Sequence, residues 1–277
     1  VLVENIFHMR TKFWHGLLSV FVTVLLIADA QLTSTALRNQ QIALPPAPTS
    51  TILVAAAASL QKALQEITPL YTRANPSQTI NYNFAASGVL ARQIERGAPV
   101  DVFIAAADKQ MNDLQKQGLL ASDKIDLLTN QLVLIVPWQS TNLTSFRQLL
   151  QPEIKRISIG EPRTVPAGQY ATEVLKSLGL LELVKSKLVL SNNVKSVLTT
   201  VETGDVEAGI VYITDAKSSD KVKVVVIADR KLHSPIRYPI AVLKSSKSIA
   251  ARQYVEFLQG QSAKAVFKKY GFGIAKP

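Results

Sequence analysis

Residues 79–104 read TINYNFAASGVLARQIERGAPVDVFI. Thr79 to Phe84 alternates polar and apolar residues, which is the period of a strand. Val89, Leu90 and Ile94 then recur at helical spacing, and Gly97 closes that run. Val100-Asp-Val-Phe-Ile104, apolar but for Asp101, reads as a buried strand. Strand, helix and strand in this span make a βαβ unit and a parallel pairing.

The same alternation continues on both sides. Thr51 to Val54 is β-type, and Leu60, Ala63, Leu64, Ile67, Leu70 and Tyr71 follow at three- and four-residue intervals. Met111 to Gln117 is helical and stops at Gly118; Leu132 to Val136 is strongly β and ends at Pro137. In the second half, Ile157–Ile159, Leu188–Leu190, Gly209–Tyr212, Val222–Ile227 and Ile236–Leu243 read as strands. Helical runs at 146–150, 171–178, 194–203, 249–257 and 263–270 stand between or after them, with Gly179 and Gly204 as stops. The expectation is an α/β protein of mixed, mostly parallel sheets flanked by helices.

The first thirty residues read differently. A basic segment, Met9-Arg-Thr-Lys12, precedes the apolar run FWHGLLSVFVTVLLI at 13–27, and Ala28-Asp29-Ala30 offers a small-residue exit. These are the three parts of a secretory signal. The run is shorter than the roughly 20 residues that span a bilayer. Residues 31–50 lack a sustained period and contain Pro45-Pro46-Ala47-Pro48, as an exposed linker would. The expected fold begins at 51.

Composition narrows the chemistry. The chain has 277 residues, enough for about two domains. It contains no cysteine, which leaves no disulfide, thiol nucleophile, Cys–zinc site or lipidated cysteine. His8, His15 and His233 are its three histidines, and only His233 lies beyond the signal segment. A Ser-His hydrolase would need His233 as its base, yet no G-x-S-x-G motif is present. The net charge of +11 comes from 31 basic and 20 acidic residues, scattered without a basic run or an aromatic ladder. That pattern fits a solvated basic surface and long-range attraction of an anion, not a nucleic-acid interface.

Open α/β sheets bind ligands beyond the carboxyl ends of their strands. Five such handovers carry hydrogen-bond donors. Ala55-Ala-Ala-Ala-Ser59 and Phe84-Ala-Ala-Ser87-Gly88 each place a serine after small residues where a helix begins. Either serine could be an ordinary helix cap or could face an anion with the free amides beside it. Gly88 adds an unshielded N–H. In Thr164-Val-Pro166-Ala167-Gly168 the proline lacks an N–H, so Ala167 and Gly168 are the next donors. In Ser191-Asn192-Asn193-Val194, Asn193 can cap while Val194 presents its N–H, and Tyr212 ends a strand with its hydroxyl at the carboxyl edge. The set is uncharged and offers no carboxylate to a protonated anion. It suits an oxyanion without protons, such as sulfate, molybdate or tungstate.

The segments VAAAASL (54–60), FAASGVLARQIERGAPVDVFIAAAD (84–108), GEPRTVPAGQYA (160–171), GIVYITDA (209–216) and FKKYGF (267–272) resemble, in order, the molybdate-binding proteins of molybdenum ABC importers, the ModA family. The resemblance implies a two-lobed type II periplasmic binding protein with two crossover strands. It implies lobe one at 51–131 plus 231–277 and lobe two at 132–230, with the crossings near Leu132–Val136 and in the 230s. It also implies a non-enzymatic, monomeric carrier. Such a carrier clamps molybdate, and tungstate as well, without a cofactor and hands it to a permease in the inner membrane. The anion contacts would be Ser59, Ser87, Ala167, Val194 and Tyr212, through its oxygens and with no direct metal ligand. The alternative is another tetrahedral oxyanion such as sulfate. A signal segment without a lipidation cysteine implies a periplasmic location.

Overall fold

The computed structural model describes residues 50–140 and 143–276. The expected signal segment, and the expected linker apart from Ser50, lie outside these residues. Ser50 is already the first residue of a strand.

The chain runs through β1 (Ser50–Ala57), α1 (Gln61–Ala74), β2 (Gln78–Ala85), α2 (Ser87–Glu95), β3 (Val102–Ile104), α3 (Asp108–Lys116) and β4 (Ile125–Thr129). It continues with β5 (Leu132–Pro137), β6 (Ile157–Gly160), α4 (Pro166–Ser177), α5 (Leu181–Val184), β7 (Leu188–Ser191), α6 (Val194–Glu202), β8 (Ala208–Tyr212), α7 (Ile213–Ala216) and β9 (Val222–Ile227). It closes with β10 (Arg237–Val242), α8 (Ile249–Leu258), α9 (Gln261–Lys269) and β11 (Gly273–Ile274).

Two sheets result, one ordered β11-β4-β10-β3-β1-β2 and the other β7-β6-β8-β5-β9. Each defines a lobe. The first contains the strands before Asn130 and after Ile236, and the second contains those between. The backbone passes between the sheets at Asn130–Gln131 and again between Ile227 and Arg237. Leu132–Val136, expected to carry the first passage, begins directly after it and pairs within the second sheet with β8 and β9.

The sheets are mixed, but parallel pairing does not dominate. The ladders β1–β2, β1–β3, β6–β7 and β6–β8 are parallel. The other five, made by β4, β5, β9, β10 and β11 with their neighbours, are antiparallel. The cause is topological. A strand entering a sheet from the other lobe is not constrained by a right-handed βαβ crossover, so β5 and β10 run against their neighbours.

Burial follows the expected periods. In α1 the buried face is Ala63, Leu64, Ile67 and Tyr71, a helical stripe laid on the first sheet. The edge strand β2 alternates half-buried and exposed residues, whereas Leu132 to Val136 in β5 is buried throughout. Gly97, Gly118, Gly179 and Gly204 all have positive φ, as helix-stopping glycines should. Two strands carry no signal in the sequence reading. β4 is short and interrupted by Asp126, and β11 has two residues at the sheet edge.

Candidate functional site

The parallel ladders set the site. Ala57 of β1 pairs with Ala85 of β2, so the chains leave the sheet level with each other. Two residues beyond each partner stand Ser59 and Ser87. In the second sheet Gly160 of β6 pairs with Ser191 of β7, and the loops after them lead into α4 and α6. One small cavity of ≈ 10 Å³ lies where these four strand ends and that of β8 meet. Its lining includes Ser59, Ser87, Ala167, Val194 and Tyr212, all five sequence-selected positions, together with Ala57, Ala58, Ala85, Ala86, Ala106, Val165, Pro166 and Asn193. The alanines matter as walls, because any longer side chain there would occupy the space.

Neither serine caps its helix by a side-chain bond. Ser59 lies inside the 3-10 turn Ala58–Leu60 that leads into α1, and Ser87 is the first residue of α2 after Ala86. Ser59 Oγ pairs with Tyr238 Oη at 3.0 Å. Ser87 Oγ accepts the Ala106 N–H at 3.0 Å. Both residues are buried. Gly88 corrects an expectation. Its N–H is not open to the cavity but donates to the Thr164 carbonyl of the other lobe at 2.9 Å. A Cβ on Gly88 would stand 2.8 Å from that oxygen, so only glycine permits this approach.

The second lobe contributes backbone donors. Pro166 and Ala167 are the first two residues of α4, and Val194 is the first of α6. N–H groups in a first turn have no helical acceptor, and the helix dipole adds partial positive charge there. Asn193 caps α6, its Oδ1 accepting the Ser196 N–H at 3.0 Å, and Val194 follows it in the cavity lining. Gly168 lets α4 approach β6. A Cβ there would fall 2.0 Å from the Gly160 carbonyl. Tyr212 Oη donates across the interface to the Ala106 carbonyl at 3.3 Å. Ala106 therefore serves both lobes, its N–H held by Ser87 and its oxygen by Tyr212.

No lining residue carries a charge. An ion pair with one fully buried partner adjoins two lining residues in sequence. Lys195, next to Val194, holds Nζ 2.9 Å from Oδ1 of the fully buried Asp215, three residues after Tyr212. Burial pushes the Asp215 carboxyl above its ordinary range, and Lys195 opposes that shift. Burial also raises the Tyr212 and Tyr238 phenols well above theirs, so both remain hydrogen donors at neutral pH. Among the described residues no group of three or more His, Asp or Glu side chains could hold a metal ion.

The sequence reading did not select Tyr238, Asn130 or Thr214, which join Ser59 in one hydrogen-bonded group. The available signal was slight. A tyrosine precedes a proline inside an alternating strand, and the structure shows a register shift there, between Tyr238 and Pro239. His233 does not line the cavity. Its ring lies 5.9 Å from that of Tyr170, and Nδ1 is 2.7 Å from the Ser234 carbonyl oxygen. No serine–histidine pair that could support hydrolysis is formed at this site.

Residues 52–273 match the family model of bacterial extracellular solute-binding proteins. A proposed ABC transporter substrate-binding lipoprotein of Bacillus subtilis, YvgL, is 42% identical over 225 residues, which is 80% of this chain and 86% of the relative. The molybdate-binding protein ModA of Haemophilus influenzae is 36% identical over 244 residues, 86% of this chain and 96% of that protein. Among solved structures, the substrate-binding domain of a proposed molybdenum ABC transporter from Clostridium difficile is 41% identical. It aligns with a TM-score of 0.65 over 82% of this chain and all of the other. Two mixed sheets joined by a double passage, with strand ends meeting at one cavity, are the type II periplasmic binding architecture. The chain belongs to the bacterial extracellular solute-binding proteins and, within them, to the ModA family.

Proposed function

We propose that this protein binds molybdate between its two lobes and delivers it to the permease of an ABC importer. The observation that carries this reading is a cavity lined by two serine hydroxyls, a tyrosine hydroxyl and helix-start amides, with no charged side chain. Such donors stabilise a dianion by aligned dipoles once water is removed. They provide no carboxylate to take the hydrogen of hydrogenphosphate. Sulfate has the same charge and shape but is smaller, so lobes that close around molybdate leave it short of some donors. Each buried donor left unmet costs about 1–3 kcal/mol. Tungstate is close in size to molybdate and binds alike.

The contacts in this reading are Ser59 and Ser87 through Oγ, Ala167 and Val194 through N–H, and Tyr212 through Oη. The small cavity means that the anion enters with the lobes apart, and closure follows from its higher affinity for the closed arrangement. The protein acts after export to the periplasm, as a monomer, with no cofactor and without catalysis.

Thermal denaturation with molybdate, tungstate, sulfate and phosphate tests the reading. Ligand at 100 times its dissociation constant should stabilise by about 2.7 kcal/mol. Molybdate and tungstate are expected to raise the melting temperature most. A larger shift with sulfate or phosphate would replace the assignment.

A further inference from the structure

We infer that Tyr238 and Asn130 are positioning residues that fix the direction of the Ser59 hydroxyl, so that its hydrogen points into the cavity. The inference rests on the reading of that cavity as an oxyanion site.

The direction follows from which atoms can donate. The Gln131 backbone N–H is a donor only, and it lies 2.9 Å from Asn130 Oδ1. That contact settles which end of the Asn130 amide is oxygen. Its Nδ2 then faces two oxygens, Thr214 Oγ1 at 3.0 Å and Tyr238 Oη at 3.1 Å. An amide nitrogen cannot accept, so Tyr238 Oη receives one of its hydrogens. Tyr238 Oη keeps one hydrogen of its own, and in the proposed arrangement it goes to Ser59 Oγ at 3.0 Å, a contact in which either oxygen could donate. Ser59 Oγ then receives a hydrogen from the protein, and its own is free for a ligand. The chain runs one way: Asn130 to Tyr238 to Ser59 to anion.

Ser87 arrives at the same polarity by another route, because its Oγ accepts the Ala106 N–H. Both serines are therefore left with a hydrogen to give to a ligand. A bare dianion meets only donors, whereas a protonated anion sets hydrogen against hydrogen. The Tyr238 side chain is fully buried, and the register shift beside it in β10 marks where the strand departs from regular pairing. Asn130 stands on the first passage between the sheets and reaches Thr214 of the second lobe, so the chain is anchored in both.

The test is a double-mutant cycle on molybdate affinity by titration calorimetry, with Tyr238→Phe in the Ser59 protein and in Ser59→Ala. The phenyl ring keeps the packing. If Tyr238 acts through Ser59, its loss weakens binding about 5–10-fold in the first background and less than about 2-fold in the second. Asn130→Asp is the second variant. It offers Tyr238 acceptors only and turns the chain round; its negative charge weakens binding in both backgrounds, and the reversal should weaken it further in the Ser59 protein than in Ser59→Ala. Equal losses in both backgrounds, or none in the first, overturn the inference. Ser59→Ala binding as tightly as the native protein, or no oxyanion binding by the native protein, overturns the reading of the site and the inference with it.

Discussion

The two halves of the cavity solve one problem with different atoms. The first lobe presents Ser59 and Ser87, whose hydroxyls are side chains held by Tyr238 and by the Ala106 N–H. In the proposed reading the second presents Ala167 and Val194, whose side chains are buried in the core and whose amides stand at helix starts, plus one hydroxyl from Tyr212. A side-chain donor needs a neighbour to aim it. A first-turn amide is aimed by the helix itself. The first lobe is therefore open to tuning at both serines, whereas in the second only Tyr212 can be tuned through its side chain and the two amides yield only to a change in the backbone.

The largest effect should come from Ser87→Ala. It removes a hydrogen bond to a charged ligand, expected to weaken molybdate binding about 10–100-fold. It also strands the buried Ala106 N–H, so calorimetry should show a melting temperature lowered by several degrees. Ser59→Ala should lose about as much affinity and less stability, because a tyrosine hydroxyl can turn to another partner where a backbone amide cannot. Equal stability losses would blur the distinction between the two serines.

Val194→Pro tests the other half. Proline is welcome at the first position of a helix, and Asn193 already has the extended backbone that a residue before proline needs. Affinity should fall about 10-fold from loss of the N–H, and the melting temperature should fall as well, since the Val194 side chain is buried in the core. Unchanged affinity would remove the Val194 amide from the site. Gly88→Ala should weaken binding by several-fold, as its methyl group opposes closure against Thr164. Scattering should then show the liganded protein more extended.

The smallest effect concerns pH. Burial raises the phenols of Tyr212 and Tyr238, and no lining residue titrates near neutrality. Affinity for molybdate should stay flat from about pH 6.5 to 9, measured by calorimetry. Asp215 carries the opposite sign from a typical carboxylate. Its folded value is raised, so its contribution to stability is present below its ordinary value and is lost as pH rises through the folded one.

The contrast between lobes also explains what was legible. Ser59 and Ser87 announce themselves, because serine after a run of alanines at a strand end is visible in the chain. The amides of Ala167 and Val194 are invisible as residue types, since nearly every residue has an N–H, and only the helix starts and the family motifs point to them. Tyr238 lies 179 residues from Ser59, and no local pattern brings them together. The misjudged share of parallel pairing has a related cause. Local periodicity marks a strand but not its direction, and the passages between lobes set the direction of β5 and β10.

The Ala106 carbonyl has a final consequence. Tyr212 already gives its hydrogen to that oxygen across the interface. Cargo that takes the hydrogen exchanges one partner for another instead of adding a bond. The tyrosine then behaves as a latch with two keepers, and grip strength reflects the difference between them. A protein that must surrender its cargo to a transporter gains from so modest a difference.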